Sequence, residues 1–233
     1  MIRSLAAALC LSSAIASPLL AQDAIRSKPT ALPVNDATPA PSDAPYPGGA
    51  IRLEVDATDT VQRIYRVKET IPVAQAGPMT LLMPQWLPGN HAARGQIEKL
   101  AGLTFTANGQ PVKWVRDPLD VYAFQIDVPQ GATEIVASFQ FLSATQPNQG
   151  RVVITPKMMN IQWEQVSLYP AGYYIRQIPV QATVTYPAGW QAATALRGTK
   201  TGDTVAYETI DYEALQDSPV FAGRYFKPVD LGH

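Results

Sequence analysis

The sequence predicts an all-β fold, an antiparallel β-sandwich or open barrel, and three observations predict it. From Ile51 onward, short stretches alternate apolar and polar residues with the two-residue period of half-buried strands, and they recur every ten residues or so. No segment holds the i, i+3, i+4, i+7 apolar spacing of an amphipathic helix for three turns. The chain contains 21 prolines, roughly twice ordinary usage, and proline is excluded from helix interiors and central strands. Many loops joining short strands satisfy all three observations. With 46% hydrophobic residues in a chain of 233, there is enough apolar material for a packed core.

The first 21 residues read as a signal peptide for export to the periplasm or outside the cell. Arg3 gives the charged start, Leu5 to Ile15 the apolar middle, and small residues precede a cleavage point near Ala21. The apolar stretch is too short and too interrupted to span a membrane. Cleavage there removes Cys10, the single cysteine, and with it any thiol or disulfide chemistry. A lipid anchor on Cys10 fits poorly with the preceding Ala7-Ala8-Leu9. Residues 22–49 form a Pro-rich linker carrying Pro29, Pro33, Pro39, Pro41, Pro45 and Pro47. No apolar period runs through it, so it is expected to be extended and largely disordered.

The domain proper is expected to occupy residues 50–233. Ile51, Leu53 and Val55 alternate with Arg52, Glu54 and Asp56 in its first strand. Val61 to Ile71 alternates more loosely, with Ile64 and Val67 taken as inward, and Pro78 to Met83 follows as a strand. Leu100 to Ala107 returns, with Leu103 and Phe105 on one face. Asn108-Gly109, the strongest hairpin signal in the chain, joins it to a strand over Val112 to Arg116. Val121 to Val128 and Glu134 to Leu142 are alternating strands joined by a turn at Pro129 to Ala132. Arg151 to Thr155 and Asn160 to Trp163 are weaker strands, and Ser167 to Tyr174 reads as a loop. Pro179 to Tyr186, Trp190 to Leu196, Thr204 to Ile210 and Val220 to Phe226 complete the strands, with a turn over Gly198 to Asp203. Tyr212 to Gln216 is the strongest candidate for a helical turn in the domain.

One loop stands out chemically. Leu81 to Arg94 reads LLMPQWLPGNHAAR: an apolar run stops at Pro84, and Trp86, Pro88, Gly89, Asn90, His91 and Arg94 follow. Prolines and a glycine forbid a helix there and end the strand. They hold a large indole on a stiff loop whose tip is polar, which suits binding. A second concentration of rings, Trp163, Tyr169, Tyr173 and Tyr174 with Arg176 among them, could serve as a carbohydrate platform, as sandwich-edge aromatics, or as a face turned toward another domain. The mixture of rings and polar groups favours the last.

The segment MPQWLPGNHAARGQIEKLAGLTF resembles the N-terminal region of the glycyl aminopeptidase family of secreted zinc metallopeptidases. Further similar pieces are YPAGWQAATAL (Tyr186 to Leu196) and LQDSPVFAGRY (Leu215 to Tyr225), so the resemblance runs from about Leu53 to Tyr225. It implies an all-β domain ahead of a thermolysin-like catalytic domain, often with a PDZ domain beyond. The sequence departs from the family at Asn90 and His91, where relatives usually carry Ser-Tyr or similar.

The residues oppose any catalytic role for the chain itself. Zinc peptidases use an H-E-x-x-H helix, which sets two imidazoles on one metal and a carboxylate beside its water. The two histidines here, His91 and His233, stand in no such motif, so no metal ligand and no cofactor is expected in this chain; the resemblance assigns zinc to the catalytic domain. His91 reads as a polar loop-tip residue. Ser218 has no nucleophile elbow or nearby histidine. Asp117 and Asp120 read as turn residues around Pro118. Met158 and Met159 point to opposite faces of a strand, which disfavours a shared soft-metal site. A net charge of −1 gives no electrostatic basis for binding nucleic acid or anionic membrane.

Two functions follow as expectations. In the first, the chain is the non-catalytic N-terminal β-domain of an exported glycyl-aminopeptidase-like zinc metallopeptidase, with its own catalytic domain as partner and peptide substrate as an indirect one. Trp86, Asn90, His91, Arg94, Trp163, Tyr169, Tyr173 and Arg176 are then the candidates for facing the substrate cleft or the interdomain interface. The alternating Val229 and Leu231 near the last residue fit a chain that continues. In the second, it is a stand-alone periplasmic β-sandwich that binds glycan or peptide.

Overall fold

A computed structural model describes residues 38–87 and 89–232. The expected signal segment and the first part of the expected linker, residues 22–37, lie outside them. In chain order the strands are β1 Ile51–Asp56, β2 Ile64–Pro72, β3 Gly77–Leu82, β4 Leu100–Ala107, β5 Gln110–Val112, β6 Trp114–Arg116, β7 Ala123–Val128 and β8 Glu134–Leu142. They continue as β9 Met158–Ile161, β10 Tyr169–Pro170, β11 Pro179–Thr185, β12 Gln191–Ala193, β13 Gly198–Thr201, β14 Thr204–Tyr207, β15 Ile210–Asp211 and β16 Val220–Gly223. The helical turn α1 spans Tyr212–Gln216.

The largest sheet runs β13-β14-β11-β1-β2-β8-β4-β5, with β15 also on β11. A second sheet runs β10-β3-β7-β6 and a small third one β12-β16-β9. The fold is all-β and mainly antiparallel, as the periodicity predicts, and among the described residues no sheet closes into a barrel. One pairing departs from the expectation: β1 and β11 run parallel, Ile51 opposite Val180 through Asp56 opposite Thr185. Alternation identifies a strand, but its partner and direction depend on how the chain returns across the whole domain.

The core sits between the sheets, and burial explains why the alternating stretches became strands. Ile51, Leu53 and Val55 are buried while Arg52 and Glu54 are exposed. Ile135, Ala137, Phe139 and Phe141 on β8 point inward together, as do Val180, Ala182 and Val184 on β11. Full burial of each large apolar side chain contributes about 1.5–3 kcal/mol. On β2 the inward residues are Tyr65, Val67, Glu69 and Ile71, which corrects the pairing of Ile64 with Val67. Residues three apart lie on opposite faces of a pleated strand, so Tyr65, not Ile64, shares the face of Val67.

Several other expectations shift. The stretch expected as one strand over Val112 to Arg116 divides at Lys113: β5 pairs with β4, and β6 pairs with β7 in the second sheet. Trp114 thereby packs edge-on against Phe105 of one sheet and Phe124 of the other, with ring centroids 6.3 and 5.6 Å apart. Arg151 to Thr155 forms only an isolated bridge from Ile154 to Met159. The expected loop after Ser167 contains β10, which pairs with β3. The expected turn at Gly198 contains β13, an exposed edge strand with no inward face to betray it. Opposite Ser138 the register of β4 on β8 slips between Ala101 and Thr104. Gly102, in the left-handed region at φ 64°, accommodates that bulge.

Residues 42–49, assigned by composition to the disordered linker, pack on the domain. Ser42 bridges Tyr173, and the Tyr46 N–H donates to the Gln177 carbonyl at 3.0 Å. The Tyr46 ring is buried edge-on against Tyr173, and its hydroxyl donates to the Pro72 carbonyl. One buried tyrosine with a satisfied hydroxyl outweighs the Pro-rich composition around it.

Candidate functional site

The Pro84–Gly95 loop closes on itself. Arg94 and Gly95 both donate their N–H groups to the Gln85 carbonyl, at 2.7 and 3.1 Å, and Trp86 bridges Ala93. Gly95 is the hinge of that closure: a Cβ built on it would stand 2.2 Å from the Pro84 carbonyl oxygen. The Tyr122 hydroxyl donates to the Gly95 carbonyl at 2.7 Å, which ties the loop to the segment before β7. So held, the loop presents the Trp86 indole 66% exposed.

Facing it is the segment Gln162 to Pro170, fixed from beneath by buried polar contacts. Trp163 is fully buried and donates its Nε1–H to the Ser218 carbonyl at 2.7 Å. Ser167 donates to the Trp163 carbonyl at 2.6 Å, so the Tyr212 hydroxyl, 2.7 Å away, donates to Ser167 Oγ. The Leu168 N–H donates to Glu69 Oε2 at 2.9 Å, whereas Glu69 Oε1 is buried without a partner among the described residues. Burial pushes the Glu69 carboxyl well above the ordinary range, against the pull of that one hydrogen bond. The same desolvation raises the Tyr212 hydroxyl.

The third wall is α1. Asp211 caps it by accepting the Ala214 N–H at 2.8 Å, and Ser218 Oγ donates to the Ala214 carbonyl at 2.8 Å. Between the three walls lie two adjoining cavities of about 480 and 450 Å³. They share Leu87, Gln216 and Asp217 and thus form one groove. The larger cavity is lined by Asn90, Arg94, Gln96, Arg151, Gln162, Glu164 and Gln165. The smaller is lined by Pro84, Gln85, Trp86, Tyr169, Ile175, Tyr212 and Glu213. Gln165 Nε2–H donates to Gln96 Oε1 at 3.0 Å across the larger one, and Gln165 Oε1 is buried without a partner among the described residues. Glu164 is nine-tenths buried, and desolvation raises its carboxyl while Arg151 draws it back down.

The structure therefore brings Trp86, Asn90, Arg94 and Tyr169 to one groove from two distant stretches. His91 stays on the exposed loop tip and lines neither cavity. Tyr173 and Arg176 turn the other way, to the segment before β1: Tyr173 packs on Tyr46, and Arg176 covers the Tyr174 ring and ion-pairs with Asp43. Trp163 corrects the sequence reading most sharply. It is not an exposed ring at all but the anchor under the groove, packed edge-on to Tyr207. Sequence reading missed Gln96, Arg151, Gln165, Gln216 and Asp217, since lone amides and charges carry no periodic signal. Asp117 behaves as read, accepting the N–H groups of Leu119 and Asp120 at 2.8 and 3.0 Å. Met158 is exposed and Met159 buried, so they share no site. Among the described residues no group of three or more His, Cys, Asp or Glu could hold a metal ion, and the donors present do not fit a zinc site.

Comparison with known proteins covers most of this unit. The model of the family described as Peptidase M61 N-terminal domain matches residues 52–224. No curated protein matches the chain. Among solved structures, the aminopeptidase N family protein from Idiomarina loihiensis is similar at 16% identity with a TM-score of 0.60, covering 74% of this chain and 29% of that one. An M1 zinc metallopeptidase from Deinococcus radiodurans bound to a Tyr-Ser-Ala substrate is similar at 14% identity with a TM-score of 0.43, covering 78% of this chain and 44% of that one. At such identity the Idiomarina likeness shows the fold alone. The chain spans less than half the length of either structure.

Proposed function

This chain belongs to the Peptidase M61 N-terminal domain family, and from that premise we propose that it serves as the non-catalytic β-domain of an exported glycyl-aminopeptidase-like zinc metallopeptidase. Its task there is to pack against the catalytic domain and wall one side of the substrate cleft. The catalytic domain supplies the zinc chemistry, and residues 1–21 direct export. Among the described residues no helix is long and apolar enough to cross a membrane.

The groove between the Trp86 loop and α1 carries this reading. It is the place where an exposed indole, a half-buried tyrosine and several amides meet on a rigid β scaffold. Rings and amides without a catalytic constellation suit binding and positioning more than bond breaking. A glycan platform loses its strongest member with the burial of Trp163.

The test is Trp86→Ala in the whole peptidase. Because the indole is 66% exposed, the melting temperature is expected to stay within about 2 °C of wild type. kcat/KM for small peptides is expected to fall by about tenfold, the loss of one well-placed aromatic contact. Unchanged kcat/KM would remove Trp86 from the cleft and the reading with it.

A further inference from the structure

The groove is electrically lopsided. At its smaller cavity, Glu213 on α1 and Asp217 at its C-cap, four residues apart, both line the cavity that Trp86 and Tyr169 line. Neither carboxylate is in an ion pair among the described residues, whose four salt bridges all lie elsewhere. No lysine or arginine lines that cavity. Two unneutralised carboxylates beside an exposed indole attract a cation by charge and by the quadrupole of the ring. The adjoining cavity has a different character. Gln165 is buried beside it with an Oε1 that has no partner among the described residues, Gln96, Gln162 and Gln216 add further amides, and Arg94, Arg151 and Glu164 bring charges of both signs. Side-chain amides spaced along a groove match the N–H and C=O groups of an extended backbone.

We propose that the groove binds an extended peptide and takes a basic side chain, lysine or arginine, between Trp86 and the Glu213–Asp217 pair. The amide-lined cavity holds the peptide backbone beside that residue, and Tyr169 forms the floor under its aliphatic stem. An acidic side chain in the same position would meet two like charges and be refused. The groove thereby selects among peptides by a side chain, with Glu213 and Asp217 as specificity-determining residues. This deepens the cleft-wall reading and rests on it only for calling the bound peptide a substrate.

The experiment measures fluorescence anisotropy of the purified chain with two C-terminally labelled pentapeptides, Gly-Ala-Arg-Ala-Ala and Gly-Ala-Glu-Ala-Ala. The arginine peptide is expected to bind about tenfold more tightly, and raised salt should narrow the gap. Asp217→Asn with Glu213→Gln should remove most of the preference while circular dichroism and the melting curve stay native, since both side chains are exposed. Trp86→Ala should weaken the arginine peptide alone. Equal binding of the two peptides, no binding of either, or a preference that survives the double variant would overturn the proposal. The two readings fail separately. If the arginine preference is found but Trp86→Ala leaves turnover by the whole peptidase intact, the groove stands and the cleft wall falls. If turnover drops while both peptides bind alike, the reverse holds.

Discussion

At single residues, the decisive feature is how little freedom the groove's supports have. Gly95 lies where any side chain would meet the Pro84 carbonyl oxygen at 2.2 Å and a Tyr122 ring carbon at 2.9 Å. The first of these is backbone, which cannot rotate away. Gly95→Ala is therefore expected to destabilise by about 1–3 kcal/mol, the usual range for forcing a methyl into a filled site. The urea midpoint measures it, and a variant as stable as wild type would show the loop to be slack. Trp163 teaches the complementary lesson. In the sequence it reads as one of a set of rings on a face turned toward another domain. A buried indole needs an acceptor for its N–H, and the Ser218 carbonyl supplied one from 55 residues away. Nothing local to Trp163 reveals that partner.

Elements show the same division. β1, β4, β8 and α1 coincide with their sequence boundaries because each carries a clear local pattern: alternation along β1 and β8 and from Leu103 onward in β4, and a capping aspartate followed by good helix formers for α1. β10 and β13 did not, because a two-residue strand and a wholly exposed edge strand present no inward face. α1 is only five residues long, far below what persists alone in water. Its cap and its tertiary contacts hold it, and it carries Gln216 and the first of the two groove carboxylates. Asp211→Ala is expected to cost about 1 kcal/mol, a fall of about 2–4 °C in a domain of this size. Asp211→Asn, which keeps the acceptor, should recover most of it. A thermal scan of the three proteins decides; an alanine variant that melts with wild type would mean the packing of Tyr212 and Leu215 suffices.

For the molecule as a whole, buried titratable groups set opposing slopes of stability with pH. Glu69 is fully buried on the inner face of β2 and its carboxyl lies well above the ordinary range through desolvation. The folded protein therefore keeps a proton that the unfolded chain releases. The resulting stability is complete below the unfolded value of about 4.3 and is lost as pH rises toward the folded value. Asp117 has the opposite sign: the N–H groups of Asp120 and Leu119 hold its carboxyl below the ordinary range. Its share is present above about 3.9 and is lost as pH falls through the folded value. Glu69→Gln keeps an acceptor for the Leu168 N–H and removes the titration. The urea midpoint of wild type is expected to decline relative to this variant as pH rises above about 4.3. Parallel curves would show that Glu69 does not change its proton count on unfolding.

The sequence alone determined that the chain is all-β, where its strongest strands and the Tyr212–Gln216 helical turn lie, that Trp86 stands on a stiff loop, and which family its motifs resemble. These properties rest on local patterns: a period of two, an Asn-Gly turn, prolines around an indole. The tertiary structure alone decided that β1 and β11 run parallel, that Trp163 is an anchor, that residues 42–49 are pinned by Tyr46, and that Trp86 and Tyr169 share a groove with Asp217. Each of those joins residues far apart in the chain, and such pairings are settled by which apolar faces meet and which buried polar groups find partners. Neither condition leaves a mark in a short stretch of sequence, because it is the folded whole that satisfies it.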